Sequence, residues 1–173
     1  MSEIATTKQL SELLESFDTA RLLTRHGDTN HARPMAIAEM EGANTLWFIT
    51  SIDSPKVDEI RHDERVSVIL QSERKFIALS GISTVVRDRE RIDALWKETW
   101  KIWFPKGKAD PSIALLRVDV EDAEFWDNGG ANGIRYAFEA VKGLIKGETP
   151  DLDAGVHGRV RRYDGGAPGS ALP

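Results

Sequence analysis

Apolar residues along this chain fall first at helical and then at strand spacing. Leu10, Leu13, Leu14 and Phe17 repeat at i, i+3, i+4 and i+7, which predicts a short opening helix. Thr6 and Gln9 stand at capping-box distance before that face. The period then changes. Residues 20–25 read as a strand, His26-Gly27-Asp28-Thr29-Asn30 as a turn, and residues 34–40 as a second strand closed by Glu41-Gly42-Ala43-Asn44. Residues 45–50 predict a third strand, rich in aromatic and β-branched side chains. Strands joined by such short turns are antiparallel.

Ser54-Pro55 opens a helix in a recognisable way, with Ser at the N-cap and Pro at the first helical position. Val57 and Ile60 give it one apolar face, and it ends near His62-Asp63. Val66, Val68 and Leu70 alternate with polar neighbours as a half-buried strand does. Residues 75–87 predict a long strand with a bulge or sharp bend at Gly81. Over residues 88–104 the period is helical again, with Ile92, Leu95, Trp96, Thr99 and Trp103 on one face, Trp100 close to it, and Pro105 and Gly107 as terminators. Residues 113–120 and 123–126 complete about seven strands. Ile134, Ala137, Phe138, Val141 and Ile145 form the stripe of one C-terminal helix.

This pattern predicts a mainly β fold with peripheral helices, an antiparallel Greek-key-like meander closed into a barrel so that no edge is left open. The expected limits are 1–127 for the barrel domain, 128–146 for the C-terminal helix and 147–173 for a mobile tail rich in Gly, Pro, Asp and Arg. The βαβα alternation of a doubly wound nucleotide-binding fold is absent, as is any G-x-G-x-x-G.

Composition narrows the function. The net charge of -5 argues against nucleic acid as the main partner. The chain has no cysteine, which excludes disulfides, thiolate catalysis and Cys-ligated metal sites. Residues 1–9 lack the basic start and apolar run of a signal peptide, and no run of 18 apolar residues occurs. A cytoplasmic protein without membrane association is therefore expected.

Candidate chemistry concentrates after the third strand. Thr50 and Ser51 supply adjacent hydroxyls at its end, and Ser54 and Lys56 stand in the first turn of the following helix. Helix starts attract anions, and a lysine there makes sense if a phosphate lies between the dipole and the ammonium. The same residues also read as a common Ser-Pro helix opener followed by a surface lysine. Arg33, just before Pro34-Met35, could reach a phosphate or a ring carbonyl, or be a solvated edge cation. Trp47, Trp96, Trp100, Trp103 and Trp126 could stack on a planar cofactor or fill a core. Trp96 reads as core and Trp103 as exposed. His26, His31, His62 and His157 are scattered without metal-ligand spacing. Ser80-Gly81 lacks a nucleophile elbow, and Glu121, Asp122, Glu124 and Asp127 read as a solvated edge. Arg159, Arg161 and Arg162 form a basic cluster that could approach a ligand phosphate, with the C-terminal helix as a lid or a structural cap.

The order Arg33-Pro34-Met35, then Leu46-Trp47-Phe48-Ile49-Thr50, then Ser54-Pro55-Lys56-Val57-Asp58-Glu59-Ile60 resembles the pyridoxamine 5′-phosphate oxidase-like superfamily. Trp103-Phe104-Pro105 and Ala114-Leu115-Leu116-Arg117-Val118 make it similar to the general stress protein 26 group within it. The resemblance implies an FMN-binding split β-barrel, paired as a homodimer with a flavin in each of two clefts between subunits. Carried over, Arg33, Pro34 and Met35 would line the flavin ring. Ile49, Thr50 and Ser51 would meet the ring edge and ribityl chain, and Ser54 and Lys56 the phosphate. Phe48, Trp103 and Trp126 complete the expected flavin contacts. FMN is the implied cofactor, with FAD as an alternative and a deazaflavin or haem as further possibilities. Function follows as a flavin-binding stress protein, either an oxidoreductase or a non-catalytic flavin carrier. Pyridoxamine phosphate oxidation ranks below both, because Pro55-Lys56 stands where the oxidases have Arg-Lys.

Overall fold

The computed structural model of the chain describes residues 3–127 and 157–161. Strands β1 (Thr19–His26), β2 (Thr29–Glu41), β3 (Thr45–Ser51), β4 (Arg65–Gln71), β5 (Lys75–Val86), β6 (Ile113–Asp127) and β7 (His157–Arg161) form one sheet. Helices α1 (Glu3–Leu14), α2 (Pro55–His62) and α3 (Arg89–Leu95) accompany it. The order is β3-β2-β1-β4-β5-β6-β7, and β3 also pairs with β6. The first six strands thus close into an antiparallel barrel, with β7 added outside. Since β4 returns beside β1 after the β1-β2-β3 meander, the connection is a Greek key. Gly27 and Gly42 turn the two hairpins at φ 58° and 59°, a backbone region open to glycine at no steric cost.

Strand β3 explains its own composition. It is buried on both faces, so its residues read as a continuous apolar run. Leu46 and Phe48 enter the barrel core with Leu22, Val68, Leu79 and Val118. Trp47 and Ile49 face the other way, into a second cluster with Ile92, Leu95, Trp100, Phe104 and Leu115. Each such fully buried side chain contributes roughly 1.5–3 kcal/mol over its exposed state. Leu10, Leu13 and Leu14 of α1 and Val57 and Ile60 of α2 also join the barrel core.

Several expectations are corrected. Helix α1 begins at Glu3, so Thr6 lies inside it rather than at its N-cap. The single helix expected over residues 88–104 is two pieces: α3, then a 3-10 turn at Glu98–Ile102, separated by extended backbone at Trp96 and Lys97. An unbroken helix would put Trp103 on the face of Ile92. The break instead turns Trp100 and Phe104 inward and leaves Trp103 exposed. The last two expected strands are one continuous strand, β6, because Glu121 is absorbed as the extra residue of a bulge. Ser80 pairs with Asp122 and Gly81 with Val120. Gly81 is required there: a Cβ would lie 2.1 Å from the backbone oxygen of Asp119.

Finally, part of the expected tail is strand β7. Asp122 accepts from Arg159 and Arg161, and Glu124 lies 2.8 Å from His157, so these two residues of the acidic run clamp β7, while Glu121 stays exposed. These two arginines are thereby paired with Asp122. Arg162 and the helix expected over residues 134–145 lie outside the described residues. No helix among the described residues is long and apolar enough to cross a membrane.

Candidate functional site

A cleft of about 470 Å³ opens where β2, β3 and α2 meet. That volume is typical of small-molecule sites, about 300–1,000 Å³. Strand β2 supplies one wall through Pro34, Met35 and Ala36, and the end of β3 supplies Ile49, Thr50 and Ser51. Ser54 and Lys56, at the start of α2, form one end, while Trp103 and Phe104 close another side next to Thr19. The helix break described above delivers Trp103 to this cleft, with the residue 60% exposed.

The Lys56 end is polar and tightly organised. Lys56 Nζ donates to Thr50 Oγ1 at 3.0 Å, and Ser54 Oγ lies 3.1 Å from the same oxygen. Ser54 occupies the N-cap position but makes no side-chain capping bond, so its hydroxyl serves the cleft rather than the helix. Among the described residues Lys56 has no carboxylate within ion-pair distance. Burial lowers its pKa from the usual lysine value, the nearby Arg33 charge lowers it further, and Glu59 acts in the opposite direction. A partly desolvated cation at a helix start, next to two hydroxyls, is a donor set that fits an anionic oxygen cluster.

Behind Lys56 lies a carboxylate hub that the sequence reading did not single out. Glu59 is 6% exposed on the apolar face of α2. Thr24 Oγ1 donates to it, His31 Nδ1 lies at 2.6 Å, and Arg33 Nη2 donates at 2.8 Å. Arg33 also donates to Thr24 at 2.5 Å. Burial pushes the Glu59 carboxyl up, but the bonds from Thr24, His31 and Arg33 and the Arg33 charge outweigh it and hold the group at about 2. An available signal was an acid flanked by Val57 and Ile60 in a helix with one apolar face, which demands a buried partner.

The fold brings Pro34, Met35, Ile49, Thr50, Ser51, Ser54, Lys56 and Trp103 together at the cleft. It does not bring Arg33, Phe48 or Trp126 there. Arg33 is bound to Glu59 and Thr24 instead of lining the cleft. Phe48 is fully buried in the barrel core because the pleat sends it inward and Ile49 outward. Trp126 lies at the far end of β6 from Ile113, which pairs with Ser51 beside the cleft. There it stacks on His157 at 4.9 Å and tilts against Phe76 at 5.4 Å. No group of three or more His, Cys, Asp or Glu among the described residues could hold a metal ion.

Residues 5–151 match the family model described as pyridoxamine 5′-phosphate oxidase like. The chain belongs to that family. Solved structures similar to this one are matched over most of their length. A general stress FMN/FAD binding protein from Xanthomonas citri is 32% identical, covering 72% of this chain and 93% of that protein with a TM-score of 0.63. General stress protein 26 from Bacillus anthracis, at 22% identity, is a likeness of fold: 71% of this chain and 90% of that one are covered, with a TM-score of 0.58. The Neurospora crassa protein bli-3 is 26% identical over 157 residues, 83% of this chain and 75% of its own. The split barrel expected from the sequence is the architecture of this family.

Proposed function

We propose that the cleft binds a flavin, FMN with FAD as the alternative, and that the chain acts as a flavin-binding stress protein. Lys56 carries this reading: a half-buried cation at the start of α2, free of ion pairs among the described residues, at one end of a mostly apolar cleft. A phosphate would meet Lys56 Nζ, Ser54 Oγ and the positive end of the α2 dipole. Pro34, Met35, Ile49 and Phe104 offer apolar surface to a planar ring, and Trp103 offers an aromatic one. The 32% identical Xanthomonas citri protein, described as FMN/FAD binding, supports the same ligand class. A bound flavin supplies hydride or electron transfer. The residues of this chain would bind and orient it and keep water from one of its faces.

Lys56 is the one ionisable side chain among the described residues lining the cleft. That favours holding a flavin over acid–base turnover, so a carrier or buffer is the second reading. A homodimer belongs to the proposal. Trp103 and Ile102, 60% and 77% exposed, leave apolar surface at the cleft mouth that a second copy would cover. Trp126, far from the cleft of its own chain, would reach a flavin only across such an interface.

Titration of the purified protein with FMN, followed by quenching of flavin fluorescence, tests the binding. Saturation at one FMN per chain is expected, and an absence of saturable quenching overturns the reading. Reduced nicotinamide added under air then separates the two roles: repeated flavin bleaching with turnover marks an oxidoreductase, and an unchanged bound flavin marks a carrier.

A further inference from the structure

We propose that Glu59 sets how strongly the Lys56 end of the cleft attracts a phosphate, by neutralising Arg33 beside it; this rests on the flavin reading above. Glu59 follows Lys56 by three residues in α2, close to one turn of helix. The buried carboxylate stands between Val57 and Ile60, where an apolar residue would pack without any charge to satisfy. Replacing buried ion pairs with apolar residues is often neutral or stabilising, so a stable fold does not by itself require a charge here. What the charge does is hold Arg33 Nη2 at 2.8 Å, while the other end of that guanidinium is held by Thr24.

Arg33 directly precedes Pro34 and Met35 of the cleft wall. The Glu59–Arg33 pair therefore ties the β2 wall to the helix that carries Lys56. It also fixes the local charge. Arg33 and Lys56 are two cations close enough to disfavour each other, and Glu59 is the anion that offsets them. With Glu59 ionised, the three charges sum to one positive charge at the phosphate end. Without it they sum to two, and Arg33 loses its strongest anchor. Glu59 is thus a positioning residue that determines the preference for phosphate-bearing over phosphate-free flavins.

Glu59→Gln keeps the shape and an acceptor for Thr24 or Arg33 while removing the charge. FMN should then bind about five- to tenfold tighter, the scale of one unit charge acting across several ångströms of partly screened space, with riboflavin unchanged. Arg33→Met in the Glu59→Gln background should return the FMN-to-riboflavin ratio to its original value, an outcome that a merely structural role would not produce. If Glu59→Gln does not fold, Arg33→Met alone serves: it leaves Glu59 unopposed beside Lys56 and should lower the ratio. An unchanged or reversed ratio in folded variants overturns the inference. A wild-type protein that binds FMN no better than riboflavin overturns the phosphate reading together with it. A clear wild-type preference that ignores Glu59 and Arg33 overturns this inference alone.

Discussion

The ammonium of Lys56 and the hydroxyl of Thr50 lie 3.0 Å apart, joining the first turn of α2 to the end of β3. The bond holds the lysine over the cleft rather than out in solvent. It also uses only one of three ammonium protons, leaving two for a ligand.

Lys56→Ala is expected to weaken FMN binding by about 1–3 kcal/mol, the scale for losing a charge-assisted hydrogen bond. Riboflavin, which has no phosphate, should bind the variant as it binds the original chain. Equal FMN affinity in both proteins, measured by fluorescence titration, rules out Lys56 as the phosphate partner.

Trp103→Asp places a charge on the exposed apolar surface at the cleft mouth. If that surface is a dimer contact, burying an unpaired carboxylate opposes association. The original chain should sediment as a dimer at micromolar concentration and the variant should shift toward monomer. A monomeric original chain would sink the dimer proposal outright.

Acid stability should depend on Glu59. Its carboxyl lies at about 2 in the folded chain against 4.5 for the ordinary group. In this interval the unfolded chain binds the extra proton, so stability rises with pH. The contribution of Glu59 is fully present above about 4.5 and is lost as pH falls through about 2. Melting temperatures between pH 5 and pH 2.5 should therefore fall less steeply for Glu59→Gln than for the original chain. Parallel curves would show that the hub contributes nothing to acid stability.

Gly81→Ala should destabilise the barrel by about 1–3 kcal/mol or more, since the added methyl meets backbone rather than a movable side chain. Chemical denaturation measures this directly. A change within a few tenths of a kcal/mol means that the β5–β6 bulge can open to admit the methyl.

Much of the barrel was legible before any coordinates. The alternation of Val66, Val68 and Leu70 marked β4, and Ser54-Pro55 marked the start of α2. Gly81 marked the bulge, because a glycine inside a strand signals a close backbone approach. At the cleft, Thr50, Ser51, Ser54 and Lys56 were legible because they follow one another within seven positions of sequence. The hub around Glu59 was not, since its partners Thr24, His31 and Arg33 are 26 to 35 positions away. Strand β7 was illegible for a similar reason: His157–Arg161 has little apolar content, and its place comes from pairing with β6 and from Asp122.

The amino-acid sequence by itself determined where strands β1 to β5 and helix α2 form, that the sheet is antiparallel, and that a cation and hydroxyls gather at the start of α2. Those features depend on neighbours in the chain, where local periodicity and capping act. Only the tertiary structure decided that Phe48 faces the core, that Trp126 lies away from the cleft, and that Arg33 answers to Glu59. It also decided that Trp103 reaches the cleft, through a helix break that serves the packing of Trp100 and Phe104. Burial and charge pairing act between residues far apart in sequence, and closing the barrel is what brings them together.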